Sequence, residues 1–177
     1  MALAPMWGGS LLAAAPPSGG TISIEAKAAD GDYDSSAPSF VSAAGEALAA
    51  KGFTILQDSG HAAYVAELIL SRVEVGTGSA KARGGRSAIT PGSASGVGAG
   101  ISIPLSTGES RLVPLLRTRM EIRIRKRGEE DVVWHGAAVT IRAAGTRKGA
   151  DDMVASDLSG ALLRSYPAEP EDVVGVP

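Results

Sequence analysis

The sequence predicts an α+β domain: an antiparallel-dominated sheet, two helices packed on one face of it, and a long Gly-rich insertion. Three observations carry this. Apolar and polar residues alternate over several strand-length stretches. Two other stretches keep apolar residues at helical spacing, in the order strand, helix, strands, helix. Residues 76–110 hold nine Gly and seven Ser, a composition that fits neither pattern.

The chain has 177 residues, room for one domain. Its 44% hydrophobic residues and 20% charged residues are compatible with a packed core. Aromatics make up only 4%, beside 30 Ala and 23 Gly, so the core is thin. Cysteine is absent, which excludes disulfides, thiolate metal sites, a catalytic cysteine and haem attachment at a Cys pair. Two histidines and scattered carboxylates leave few ways to build a transition-metal site, and no cofactor is expected.

Residues 1–20 carry no charge and read as a disordered leader or the remnant of a signal or anchor. Leu12-Ala13-Ala14 fits the end of a bacterial lipoprotein signal, with Ala15 where the lipidated Cys would stand; Ala13-x-Ala15 equally suits an ordinary signal-peptidase site. No stretch reaches the roughly 18 uninterrupted apolar residues of a membrane span.

The folded domain is expected over residues 21–167. Ile22, Ile24, Ala26 and Ala28 alternate as on a half-buried strand. A turn over residues 30–36 leads to Ser39 as N-cap of a helix, with Phe40, Val41, Ala44, Ala47 and Leu48 on its stripe. Lys51 then suits the negative dipole end and Gly52 the left-handed position that ends it. Residues 53–56 are extended, and residues 63–75, apolar on both faces at their middle, predict a central strand. After the insertion, Met120, Ile122 and Ile124 alternate with Arg119, Glu121, Arg123 and Arg125. Residues 126–131 form a hairpin loop, and residues 132–141 return antiparallel. A second helix opens at Asp151 or Asp152 with Val154, Leu158, Ala161 and Leu162 as its stripe, and Pro167 ends it. Residues 168–177, rich in Pro and acids, are expected to fray as a flexible tail.

Charge is segregated along the chain. Residues 72–148 hold fourteen of the seventeen Lys and Arg with six acids, and the remainder is strongly acidic. Two complementary faces of one domain explain this better than a surface for an anionic partner, because the whole chain has a net charge of −2.

Several motifs invite chemistry. Asp30-Gly31-Asp32-Tyr33-Asp34 begins like a calcium loop, but Ser35 stands at the sixth position and Val41 at the twelfth, so an exposed turn is expected. No phosphate-loop signature exists, and Gly96-x-Gly98-x-Gly100 reads as part of an irregular edge hairpin. Gly-x-Ser-x-Gly is absent, and Gly92-Ser93-Ala94-Ser95-Gly96 has Ala at its centre. A small hydrolase or lipid-modifying enzyme using His135 or His61 is the alternative to a non-enzymatic reading. Arg117, Arg119, Arg123 and Arg125, continued by Lys126 and Arg127, form the sharpest feature. Their same-side spacing of about 6.6–6.8 Å approaches single-strand phosphate spacing. No aromatic interleaves them, Glu121 interrupts the row, and Glu129-Glu130-Asp131 lie across the hairpin, so no nucleic acid is expected. An acidic protein surface or anionic lipid headgroups come first as partners, and an edge strand offers a route to homo-oligomers.

Asp32-Tyr33-Asp34 followed by Phe40, the run Ala47-Leu48-Ala49-Ala50-Lys51-Gly52-Phe53, and Ala63-Tyr64-Val65-Ala66 form an ordered set. It continues through Met120-Glu121-Ile122-Arg123-Ile124, Val133-Trp134-His135-Gly136-Ala137-Ala138 and Ala161-Leu162-Leu163-Arg164-Ser165-Tyr166-Pro167. This set resembles the bacterial envelope lipoproteins grouped as domain of unknown function 4136, and departs from them in lacking the lipidated Cys. The resemblance implies an exported α+β domain, periplasmic and tethered to the outer membrane, with no catalytic residues to transfer. Read from the residues themselves, Trp134 is the largest side chain offered to an aromatic-poor core, and Gly136 relieves crowding beside it. The expectation is a non-enzymatic module that binds or scaffolds an envelope partner through the Arg-rich face, the Gly-rich segment, or both.

Overall fold

The structure, a computed structural model, describes residues 15–28, 37–81 and 110–177. Its six strands are β1 (Gly20–Ala28), β2 (Phe53–Ile55), β3 (Tyr64–Lys81), β4 (Ser110–Lys126), β5 (Val132–Ala143) and β6 (Val174–Val176). They form one sheet in the order β2-β1-β3-β4-β5-β6. The centre is antiparallel, β3 against β4 and β4 against β5, while β1 lies parallel to both β2 and β3, and β6 parallel to β5. The fold is therefore α+β with a mixed sheet and an antiparallel core.

Parallel neighbours need crossover connections, and the two helices supply two of them. Helix α1 (Ala37–Ala49) links β1 to β2, and α2 (Asp151–Leu162) lies between β5 and β6. Residues 56–63 make the third crossover. Because Ile22 of β1 faces both Ile55 and Tyr64, this short segment must pass over β1. It does so on the face away from the helices: the Ala63 N–H donates to Thr21 Oγ1, and Ala62 and Ser23 are both buried.

Alternation along the strands sorts the sheet into two faces. Ile22 of β1, Leu68 and Leu70 of β3, Met120, Ile122 and Ile124 of β4, and Trp134 and Ala138 of β5 turn toward the helices and are all buried. Phe40, Ala44 and Leu48 of α1 and Val154, Leu158 and Leu162 of α2 close the core over them. Each large apolar side chain buried this way contributes about 1.5–3 kcal/mol. Four of the seven aromatics chain across one end of this core: Tyr64 to Phe53 at 6.3 Å, Phe53 to Tyr166 at 5.9 Å and Tyr166 to Trp134 at 5.3 Å, all edge-on. Trp134 is fully buried, and a Cβ on Gly136 would come within 2.8 Å of Leu162 Cδ1 and 3.0 Å of the Trp134 ring. Glycine at 136 is thus required by close approach. Gly52 ends α1 with a positive φ of 96°, where the sequence places the left-handed residue.

Four expectations are corrected. Helix α1 begins two residues before Ser39, with Pro38 in its first turn, where the missing N–H costs nothing. The insertion is shorter than 76–110, because β3 runs to Lys81 and β4 starts at Ser110, paired along a two-stranded ribbon past a bulge between Glu74 and Gly76. Gly76, Gly78 and Ser79 carry no apolar side chain, so no alternation marks a strand there. The tail does not simply fray. Val174–Val176 adds β6 alongside Ala138–Thr140, and Thr140 Oγ1 donates to the Val176 carbonyl at 2.8 Å. Finally, residues 15–20 are not all leader: Gly20 opens β1, Pro16 and Pro17 are half-buried, and the Tyr166 hydroxyl donates to the Pro17 carbonyl.

Candidate functional site

The face of the sheet away from the helices is open at its centre among the described residues, and it carries the arginine row. Register lines up Val73, Arg117 and Ile141 across three strands, then Ser71, Arg119 and Val139, then Ile69, Glu121 and Ala137, then Glu67, Arg123 and His135. Aliphatic side chains from β3 and β5 thus flank a charged ladder on β4. Val73 is 45% exposed and Ile141 54%.

Carboxylates within the sheet hold most of the ladder in place. Glu121, 9% exposed, takes Arg119 Nη2 at 3.1 Å on one oxygen and Arg123 Nε at 2.7 Å on the other. Glu67 takes Lys27 Nζ at 2.8 Å and Arg125 Nε at 3.3 Å, and the hydrogen bond from Lys27 holds its carboxyl below the usual carboxylate range. Glu129, expected to lie across the hairpin from the row, pairs with Lys126 at the end of the row at 2.6 Å. Among the described residues Arg117 alone of the four arginines makes no ion pair. The charge segregation of the sequence is undone in space in the same way: Arg72 meets Asp151 at 2.6 Å, and Arg142 meets Asp157 at 3.2 Å, on the helix side.

At the end of the open face nearest the hairpin, the chain after α2 climbs along the edge of β5 and builds a rim. The His135 N–H donates to Glu169 Oε1 at 3.0 Å, His135 Nδ1 lies 3.2 Å from the same oxygen, and Trp134 Nε1 donates to the Ala168 carbonyl at 3.4 Å. One groove of about 600 Å³ lies between Arg123, Val132, His135 and Glu169, with Ala15 and Pro16 on its wall. A second, about 610 Å³, lies over Arg119, Glu121 and Ala137 beneath Glu171, Asp172 and Val173. The two share Arg123 and His135.

Of the residues singled out from sequence, the structure brings together Arg119, Arg123, His135 and Ala15, with Arg117 and Arg125 at the two ends of the same ladder. His61 stands apart in the turn before β3, exposed, with its Nδ1 2.6 Å from Asp58 Oδ2; that bond lowers the Asp58 pKa. Neither histidine ring is hydrogen-bonded to a hydroxyl among the described residues. The calcium-like loop at Asp30 to Ser35, the Gly92 to Gly96 run and the hairpin expected at Gly96 to Pro104 lie outside the described residues. No group of three or more His, Asp or Glu side chains that could hold a metal occurs among the described residues, and none of their helices is long and apolar enough to cross a membrane.

Sequence reasoning missed Glu67, Glu169, Glu171 and Asp172 as parts of the site. Glu67 was legible as the polar residue on the open side of a central strand. The other three come from a tail whose path is set by tertiary contacts alone. Compared with protein families, curated proteins and solved structures, the chain matches none.

Proposed function

We propose that the chain is a non-enzymatic binding or scaffolding module of a bacterial cell envelope, exported to the periplasm, tethered to the outer membrane at the Ala15 end, and contacting its partner through the open face. The observation that carries this reading is the uncovered sheet face itself. A sheet with one face sealed by helices and the other lined by half-exposed aliphatics and guanidinium groups offers contact area and hydrogen-bond donors without a reactive centre. Ala15 and Pro16 line the groove at one end of that face, so a tether leaving there holds the face close to the envelope surface.

The ion pairs favour one of the two partner classes. With Arg119 and Arg123 sharing Glu121, and Glu171 and Asp172 on the rim, the surface lacks the excess positive field that anionic headgroups require, which supports a protein partner. They also decide the test. Removing Arg119 and Arg123 together strands the Glu121 carboxylate, whereas Arg117→Ser with Ile141→Ser alters the face alone. That variant is expected to keep its circular dichroism spectrum and lose capture of its envelope partner in a cellular crosslinking pull-down, with anionic vesicles as the comparison arm. Unchanged capture would remove the face from the proposal. A hydrolase reading draws its support from the His135 and Glu169 pair inside a groove. It requires an ester or phosphoester activity that His135→Ala abolishes and His61→Ala leaves intact.

A further inference from the structure

One carboxylate of the chain is held as a bound ligand would be. The Glu169 side chain, 44% exposed, reaches back onto the edge of β5, where its Oε1 accepts from the His135 backbone N–H at 3.0 Å and lies 3.2 Å from His135 Nδ1. An edge-strand N–H and an imidazole converging on one oxygen make a cradle for a carboxylate, and hydrogen bonds to a charged acceptor are stronger than those between neutral groups. Arg123, the register partner of His135 on β4, lines the same groove. Its Nε donates to Glu121, and on a side chain 46% exposed the remaining guanidinium donors are left to the groove.

Beyond the cradle the groove turns apolar. Its volume of about 600 Å³ is bounded by Val132, Val133, Pro167 and Pro16, and Val132 is 47% exposed. Glu169 is the one acid in this lining, so with its side chain withdrawn the charged groups that remain are Arg123 and His135. We infer that Glu169 occupies, from within the chain, the place of an acidic residue of the partner protein. The partner then presents an extended acidic segment: one carboxylate takes the cradle, and the apolar residues beside it lie along Val132, Val133 and Pro167. The inference rests on the proposed role of the open face as a contact surface and names the chemistry of what it contacts.

The surroundings make Glu169 replaceable. Both members of its pair are exposed, and an exposed pair contributes little to stability, so a partner that adds apolar contact along the groove can take its place. Turning the Glu169 side chain outward leaves the chain anchored on either side of it: Trp134 Nε1 still donates to the Ala168 carbonyl, and β6 still pairs with Ala138–Thr140. Charge selects the groove as well. Glu171 and Asp172 line only the second groove, over Arg119 and Glu121, and oppose an incoming acid there. The first groove is the one that an acidic segment can enter.

Fluorescence anisotropy of the full chain with a labelled, end-blocked peptide of residues 167–174, Pro-Ala-Glu-Pro-Glu-Asp-Val-Val, tests this. In the parent chain Glu169 competes at the high effective concentration of a tethered group. Glu169→Ala is therefore expected to bind the peptide with a dissociation constant at least about tenfold lower than the parent, with an unchanged circular dichroism spectrum. Two changes should each cancel that gain: Gln in place of the first Glu of the peptide, and Arg123→Gln added to Glu169→Ala, which leaves Arg119 paired with Glu121. Equal affinity of parent and Glu169→Ala overturns the inference, as does a gain that survives either change. Its failure is separable from that of the proposed function: a chain that captures its envelope partner through Arg117 and Ile141, while Glu169→Ala binds the peptide no better than the parent, loses the acidic segment and keeps the contact surface.

Discussion

The two faces of the sheet are built from the same strands, residue by residue in alternation, yet do opposite work. On the helix side, Met120, Ile122 and Ile124 are 0–1% exposed and meet aromatic and aliphatic partners from both helices. On the open side, the residues between them are Arg119, Glu121, Arg123 and Arg125, held by ion pairs that leave the two outer aliphatic rows in view. The helix side therefore carries stability. The open side, whose arginines are half-exposed and pair with carboxylates set into the sheet, adds no comparable apolar burial and is available for contact.

That division predicts a graded series of effects. Trp134→Ala, which empties the largest fully buried side chain of a core with few aromatics, is expected to cost about 3–5 kcal/mol in urea unfolding. A loss below 1 kcal/mol would mean that the helix side is not where stability resides. Gly136→Ala adds only one carbon, but Leu162, Trp134 and Pro170 crowd that position within 3.1 Å, so a loss of about 1–3 kcal/mol is expected. Wild-type stability in that variant would show that the end of α2 and the 167–170 segment yield readily.

Tyr166 supplies a smaller, pH-dependent effect. Burial, and then the nearby Tyr64, push its pKa from 10.0 up to about 12. The group holds its proton more tightly when folded, so its contribution is complete below pH 10 and is lost as pH rises from 10 toward 12. Tyrosinate absorbance should show one late-titrating tyrosine, and Tyr166→Phe should flatten the stability loss over that window. A Tyr166 that ionises with an exposed tyrosine would contradict its sealed position beside Pro17. The weakest effect on stability belongs to the open face: Arg117→Ser and Ile141→Ser should change unfolding by no more than about 0.5 kcal/mol.

Much of the helix side was legible in the sequence because it rests on local periodicity. Alternation in β4 names its buried residues, and the stripes of α1 and α2 name Phe40, Ala44, Leu48, Val154, Leu158 and Leu162. Within α2 the stripe is rotated slightly, so that Ala155 and Ser159 are buried while Ala161 is only half-covered. The parallel edges were not legible. Val174–Val176 is a strand because Ala138–Thr140 offers it an edge, and nothing in three residues of a Pro-rich tail announces that. The site divides in the same way. The arginine row is a local pattern, and Glu121, which in sequence only interrupts it, becomes the residue that organises it. The rim joins Glu169 to His135 across 34 residues, a distance that no spacing rule bridges.

Because the chain has no cysteine, a single Ile141→Cys variant places one thiol on the open face and nowhere else. Its labelling rate, compared with that of Ile122→Cys on the helix side, tests most directly whether the two faces divide in this way. The division predicts close to the free-thiol rate at Ile141, 54% exposed, and protection of at least about tenfold at Ile122, 1% exposed. Equal rates at the two positions would contradict it.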